Sequence, residues 1–157
     1  MAGQAEARMN IVRDPTGHAV ALPDWRAFFH NRVSGNTNTL NVPRNEEWHV
    51  FSIYVICTTD ASQGDRQLVV EFQDVNANLR GEVRARAVQA ASLVRYYYFG
   101  PALAMDTDFY DTNYLTVPLI PGLVLSPRAQ IITYDNNLIS ANDRLDVSLI
   151  AARRLVA

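Results

Sequence analysis

Over residues 66–74 apolar side chains fall on every second position, with Leu68, Val70 and Phe72 on one side and Gln67, Glu71 and Gln73 on the other. That two-residue period is the mark of a half-buried β-strand. It returns at 82–88, with the small residues Val83, Ala85 and Ala87 inward, and at 144–156 through Leu145, Val147, Leu149 and Ala151. Residues 48–58 differ in being apolar on both alternating sides. Phe51, Ile53, Val55 and Cys57 take one side, and Trp48, Val50, Tyr54 and Ile56 the other. Such a strand is expected to be covered on both faces. Residues 90–99 fit a helix or a strand. The β-prone run Tyr96-Tyr97-Tyr98-Phe99, stopped by Gly100-Pro101, selects the strand. Shorter strands are predicted at 114–119, 123–125 and 129–134, with turns at 60–65, 74–81, 120–122 and 135–137 and a long crossing at 102–113.

The first 45 residues read differently. Asp24 is placed to cap a short helix on which Trp25, Phe28, Phe29 and Arg32 would share one face. A helix of that length is marginal alone, so its aromatic rings must dock on the chain's own sheet or on a neighbour. Residues 34–41 are polar and loop-like, and Pro43 restricts the approach to the first long strand. The pattern therefore predicts an extended N-terminal arm with a short helix at 1–45 and a β-sandwich domain at 46–157. Roughly eight short strands with turns every 8–12 residues make an all-β, antiparallel sandwich. The long crossings favour Greek-key or jelly-roll winding over a meander.

Composition adds limits. At 157 residues, 48% hydrophobic and 19% charged, the chain is long enough to bury a core without a metal or a disulfide, and its one cysteine, Cys57, allows no internal disulfide. The net charge is −2, and the longest basic run is Arg153-Arg154. Nucleic-acid binding by counterion release needs a concentrated basic face, so no nucleic acid is expected as partner. All 14 basic residues are arginine, a bias that suits interfaces and that a GC-rich coding sequence would also produce. No stretch has the length or apolarity of a signal core or a membrane-crossing helix, and use away from membranes is expected.

Candidate chemistry is sparse. His18, His30 and His49 show no metal-ligand spacing. Cys57 sits in an apolar run without a polarising neighbour, and no Gly-x-Ser-x-Gly occurs. Glu46 and Glu47 are adjacent and would point apart on a strand. No enzyme activity, catalytic residue, cofactor or metal ligand is therefore assigned. Asp106, Asp108 and Asp111 could present oxygen ligands to calcium, or form a solvated acidic loop; the EF-hand glycine and terminal glutamate are missing. The aromatic series Tyr96, Tyr97, Tyr98, Phe99, Phe109, Tyr110 and Tyr114 carries more weight. Alternate strand residues face opposite sides, so one or two of these rings should lie outside the core, unless the rings simply fill an aromatic core with hydroxyls at its rim. Exposed tyrosines anchor protein interfaces and also stack on sugar rings.

The runs Leu119-Ile120-Pro121-Gly122-Leu123-Val124-Leu125, Ile131-Ile132-Thr133-Tyr134-Asp135 and Ala141-Asn142-Asp143-Arg144-Leu145-Asp146-Val147-Ser148-Leu149 form a turn–strand–turn–strand ending. That ending is similar to small β-sandwich virion proteins of tailed bacteriophages, including jelly-roll head decoration (cement) proteins. The resemblance spans residues 46–156. It implies a homo-oligomer on the capsid surface, assembled in the host cytoplasm and bound to the viral major coat protein and to copies of itself. Trp25, Phe28, Phe29, Tyr96, Tyr98 and Tyr110 are the expected partner contacts. Three arm aromatics burying about 150 Å² each would contribute on the order of 10 kcal/mol before ordering costs. Deleting residues 1–40 is then expected to abolish assembly and leave a folded β core. Two alternatives stand beside this reading: a carbohydrate-binding or host-recognition module of a phage tail, with Tyr96, Tyr97, Tyr98 and Tyr110 as a stacking platform, and a cupin-like or glycosidase enzyme.

Overall fold

The computed structural model describes residues 37–108, 113–137 and 140–156, together with the backbone of three strands that precede them. In chain order the strands are β1 (Ile11–Arg13), β2 (Ala19–Ala21), β3 (Arg26–Ser34), β4 (Thr37–Asn41), β5 (Glu46–Thr58) and β6 (Leu68–Gln73). They continue with β7 (Leu79–Arg84), β8 (Val94–Gly100), β9 (Tyr114–Pro118), β10 (Val124–Leu125), β11 (Gln130–Asp135) and β12 (Arg144–Leu155). β1 and β2 pair with each other. The larger sheet runs β3-β12-β5-β8-β9, with β10 added to β5, and the smaller runs β4-β11-β6-β7.

Each sheet interleaves strands from the two ends of the chain. β3 and β4 pair with β12 and β11, and from β3 to β8 successive strands cross between sheets except at the β6–β7 hairpin. The crossings also pause along β8, β9 and β10, which all join the larger sheet; the pairing of β3, β12, β5 and β8 in one sheet and β4, β11, β6 and β7 in the other is jelly-roll winding, and the all-β sandwich read from the sequence is the observed class. The pairs are antiparallel apart from β8 with β9. Among the described residues no helix is long and apolar enough to cross a membrane.

The helix expected around Trp25, Phe28, Phe29 and Arg32 is replaced by β3, which pairs with β12 over nine residues, from Ser34 opposite Leu145 to Arg26 opposite Arg153. A short helix would satisfy only its own backbone, whereas β12 offers a long unpaired edge, and Phe28, Phe29 and Val33 are β-prone. The loop expected at 34–41 also contains a strand. β4 pairs with β11, and its alternate residues Asn38 and Leu40 are buried. Residues from the expected arm thus hydrogen-bond into both sheets.

The core lies between the sheets. Ile53, Val55, Tyr97, Phe99, Leu115, Val117, Val147 and Leu149 from the larger sheet face Leu40, Leu68, Val70, Phe72 and Ile131 from the smaller. β5 reaches this core by a change of phase. Val50 stands opposite Ala151 and Ser52 opposite Ile150, so Phe51 is an extra residue, a β-bulge. Before it the inward residues are Trp48 and Val50, and after it Ile53, Val55 and Cys57. The bulge explains why β5 is apolar at both parities. Cover on both faces is not what results: Phe51 stays 40% exposed, and Tyr54 and Ile56 are half-buried.

One end of the sandwich is closed by a polar cluster. Arg66, 1% exposed, donates from Nε to Asp143 Oδ2 at 2.8 Å, from Nη2 to Asp60 Oδ1 at 3.1 Å, and from Nη1 to the carbonyls of Ser62 and Gly64 at 2.8 and 2.7 Å. Asp60 also accepts from Ser140 and Ser62, so the β5–β6 and β11–β12 loops converge on one guanidinium. Beside them Gln89 donates to the Cys57 and Leu93 carbonyls at 3.0 and 2.9 Å and accepts from the Tyr97 hydroxyl at 3.1 Å. These bonds meet the hydrogen-bonding needs of polar groups taken out of water.

Candidate functional site

The outward face of the larger sheet collects the aromatic side chains that the core does not use. On β8, Tyr97 and Phe99 point inward and are fully buried, so Tyr96 and Tyr98 point outward. On β9 the same alternation buries Leu115 and Val117 and turns Tyr114 and Thr116 out. On β5 the phase set by the bulge sends Tyr54 and Ile56 to this face. Register then brings them together: Tyr98 lies opposite Tyr54, and Tyr96 lies between Ile56 and Tyr114.

The rings form a continuous stack. Tyr54 and Tyr96 are 6.3 Å apart at 9°, and Tyr96 and Tyr114 are 4.9 Å apart at 21°. At 4.9 Å two nearly parallel rings must overlap face to face, because side by side their edges would collide. One face of Tyr96 is therefore covered by Tyr114, and Tyr54 lies parallel to it at the longer distance. Tyr98 is seated over Gly100, where a Cβ would meet Tyr98 Cε1 at 3.1 Å and Leu103 Cδ1 at 3.0 Å; glycine is what lets the ring and Leu103 approach. Tyr98 and Tyr114 remain 42% and 48% exposed, and Val94 extends the apolar surface. Burial, with Tyr114 and Tyr96 alongside, raises the pKa of the Tyr54 phenol, so it stays a neutral donor at physiological pH.

Among the described residues the face carries little charge. Arg144 and Asp146 at its β12 side pair with each other at 3.0 Å. Beyond β9 the carboxylate of Asp106 accepts from the Thr116 amide at 2.8 Å and the Thr116 hydroxyl at 2.7 Å, and the Asp106 amide donates to the Thr116 carbonyl at 3.1 Å. Asp106 thereby closes the free edge of β9, where Pro118 has no amide to offer. Asp108 is exposed and accepts from the Thr107 hydroxyl. Asp111 lies outside the described residues. Among those described, no three His, Cys, Asp or Glu side chains are placed to hold a metal.

The smaller sheet turns a different surface outward. There Gln130 bonds Asn41, Gln73 bonds Glu71, Tyr134 bonds Glu71, and Arg84 pairs with Glu82. A shallow groove of about 130 Å³ sits between the two, lined by Phe72, Arg80, Ile120, Leu123 and Leu125. Elsewhere, burial pushes the Cys57 thiol up to about 12, with the carboxylates of Asp143 and Asp135 adding to it, so it is no ready nucleophile. Glu46 and Glu47 take separate partners, Arg153 and Arg154. His49 packs against Phe51.

Of the contact residues expected from sequence, Tyr96 and Tyr98 share this face. Trp25 and Tyr110 lie outside the described residues, as do the side chains of Phe28 and Phe29 in β3. Tyr54 and Tyr114 complete the stack and were not assigned. Their signal is the register of β5, β8 and β9, which periodicity along one strand does not contain.

No protein-family model matches the chain, and no curated protein matches it. Among solved structures it is similar to infectious bursal disease virus, Gt strain, with TM-score 0.32 and 9% identity over 93% of this chain and 46% of that one. It is also similar to a mutant VP2 protein of that virus in derived T=1 particles, with TM-score 0.32 and 11% identity over 93% and 44%. The chain spans less than half the length of these structures. Its jelly-roll winding is read from strand order and not from those values.

Proposed function

We propose that this domain is a structural protein of a virus particle, of the decoration or cement kind, which holds to the shell through the aromatic face of its larger sheet and performs no chemistry. The observation that carries the binding role is the contrast between the two outward faces. One is a network of paired charges and amides, as a solvated surface should be. The other sets stacked tyrosines beside Ile56 and Val94 with its charges paired off. Tyrosine offers a large rigid area with a polar tip at small entropic cost, which is why it is enriched where proteins meet. The virion setting comes from the resemblance of the ending at residues 119–149.

The carbohydrate reading asks for ring faces open to a sugar; one face of Tyr96 is covered by Tyr114, which leaves Tyr98 and Tyr114 as the exposed rings it would use. The test is co-sedimentation of the purified protein with particles of the virus that encodes it. Wild type should pellet with the particles, and Tyr114→Arg, burying a charge in place of a ring, should weaken binding by about 2–3 kcal/mol. Failure of the wild type to associate would overturn the reading. Specific glycan binding lost in Tyr98→Ala would replace it with the carbohydrate one.

A further inference from the structure

We propose that the interior of the sandwich contains a binding site for water, built around the side-chain amide of Asn38 between β4 and β11. Asn38 is 1% exposed, and neither its Nδ2 donor nor its Oδ1 acceptor has a hydrogen-bond partner among the described residues. Burying an amide without a partner is costly, and the large majority of buried polar side chains have one, in the protein or in ordered water. Arg66 and Gln89, the large polar side chains sealed in the same core, bond protein groups. Asn38 does not, on either side of its amide.

Register shows what stands around it. Thr133 lies directly opposite Asn38, and Asp135 is two residues further along β11. All three side chains point between the sheets and are buried. Opposed residues of an antiparallel pair have Cβ atoms about 5 Å apart, and diagonal neighbours about 7–8 Å. Neither residue bonds the Asn38 amide directly. One water between the amide and the Thr133 hydroxyl, and one between the amide and the Asp135 carboxylate, turns both separations into ordinary hydrogen bonds. Asp135 already accepts the Asn137 amide at 3.1 Å, and a carboxylate has further lone pairs to offer. One step along the two strands, Leu40 and Ile131 close the space with apolar groups, which confines the water to the level of Asn38.

The chemistry of the amide selects water over a cation. Nδ2 donates and Oδ1 accepts, and water answers both, whereas a cation answers only Oδ1 and is repelled by the N–H groups. Positive charge is also supplied already. The hydrogen bond to Asp143 first, then the charges of Asp143, Asp60 and Asp135, raise the Arg66 pKa, so Asp135 lies in the field of a permanent cation. The site is independent of what the outward face binds. It lies on a strand of the N-terminal segment, and the water joins that segment to β11 at a point where no side chain does.

Magnetic relaxation dispersion of water in solutions of the full chain counts the molecules that stay inside through the tumbling of the protein. Asn38→Leu replaces the amide with an apolar group of similar size, and this variant should hold about two fewer long-lived waters than wild type. Thr133→Val, which removes one of the partners, should hold about one fewer. A crystal structure of the wild type should place ordered water against both Nδ2 and Oδ1 of Asn38, a reading that needs no variant to fold. A crystal structure in which both amide atoms bond protein groups overturns the site. So does a count of long-lived waters that Asn38→Leu leaves unchanged.

Discussion

Arg66 ties the β5–β6 loop to the β11–β12 loop from a position almost sealed from water, with Asp143 as its principal partner at 2.8 Å. The hydrogen bond that the guanidinium donates to Asp143, together with the charge of that carboxylate, raises its pKa further, and no physiological pH releases it. Removing one member of such a pair leaves the other charge buried and uncompensated. Arg66→Met should therefore cost about 3–5 kcal/mol in a urea melt, far more than a change in a surface pair such as Arg144–Asp146. Asp60 supplies the pH dependence at the same place. The Ser140 hydroxyl first, then the Ser62 amide, hold its pKa near 2 against an ordinary 3.8. Because the folded value lies below the unfolded one, its contribution is present above 3.8 and disappears as pH falls toward 2. Thermal melts across that window should fall less steeply for Asp60→Asn than for wild type. None of this was legible in the sequence, where Arg66 heads an alternating strand and Asp143 lies 77 positions further on, with nothing in either segment to name the other as its partner.

At the scale of the strand, the bulge in β5 decides which side chains are core. Phe51 sits outside the ladder and partly in solvent, while Ile53 is fully buried. Phe51→Ser should change stability by no more than about 1 kcal/mol, whereas Ile53→Ala should cost about 2–5 kcal/mol, both by chemical denaturation. A strand that simply alternated would reverse neither, but it would group Phe51 with Ile53. The sequence showed apolar residues at both parities and suggested cover on both faces. A one-residue slip produces the same pattern and cannot be told apart without the partner strand. β6, β11 and β12 were legible because Val70, Phe72, Ile131, Val147 and Leu149 keep strict phase. β3 was not, because Trp25, Phe28, Phe29 and Arg32 also satisfy the spacing of a helix face. β4 was hidden by its Thr and Asn residues, which read as loop until β11 is placed beside them.

For the whole molecule, winding makes the ends of the chain interdependent. β3 and β4 each lie against strands from the last 28 residues, so the larger sheet at β12 and the smaller at β11 are completed by the N-terminal segment. Deleting residues 1–41 would expose the edges of β11 and β12 and remove Leu40 from the core. The truncated chain should lose its cooperative melt and aggregate, rather than persist as the folded remnant that an appended arm would allow. Circular dichroism with light scattering checks this. The candidate face was half legible at this scale: Tyr96 and Tyr98 could be read as outward on one strand, and only assembly of three strands adds Tyr54 and Tyr114. On the proposed structural role, the two outward surfaces give the domain a fixed orientation on the shell. Adhering by its tyrosine side, it must turn its glutamine, asparagine and ion-pair side to the medium, along with the tight Asp74–Asn78 hairpin between β6 and β7. A peptide epitope spliced into that hairpin, which lies at the strand ends, would project along the particle surface, and a layer of such domains would give a particle a wettable skin.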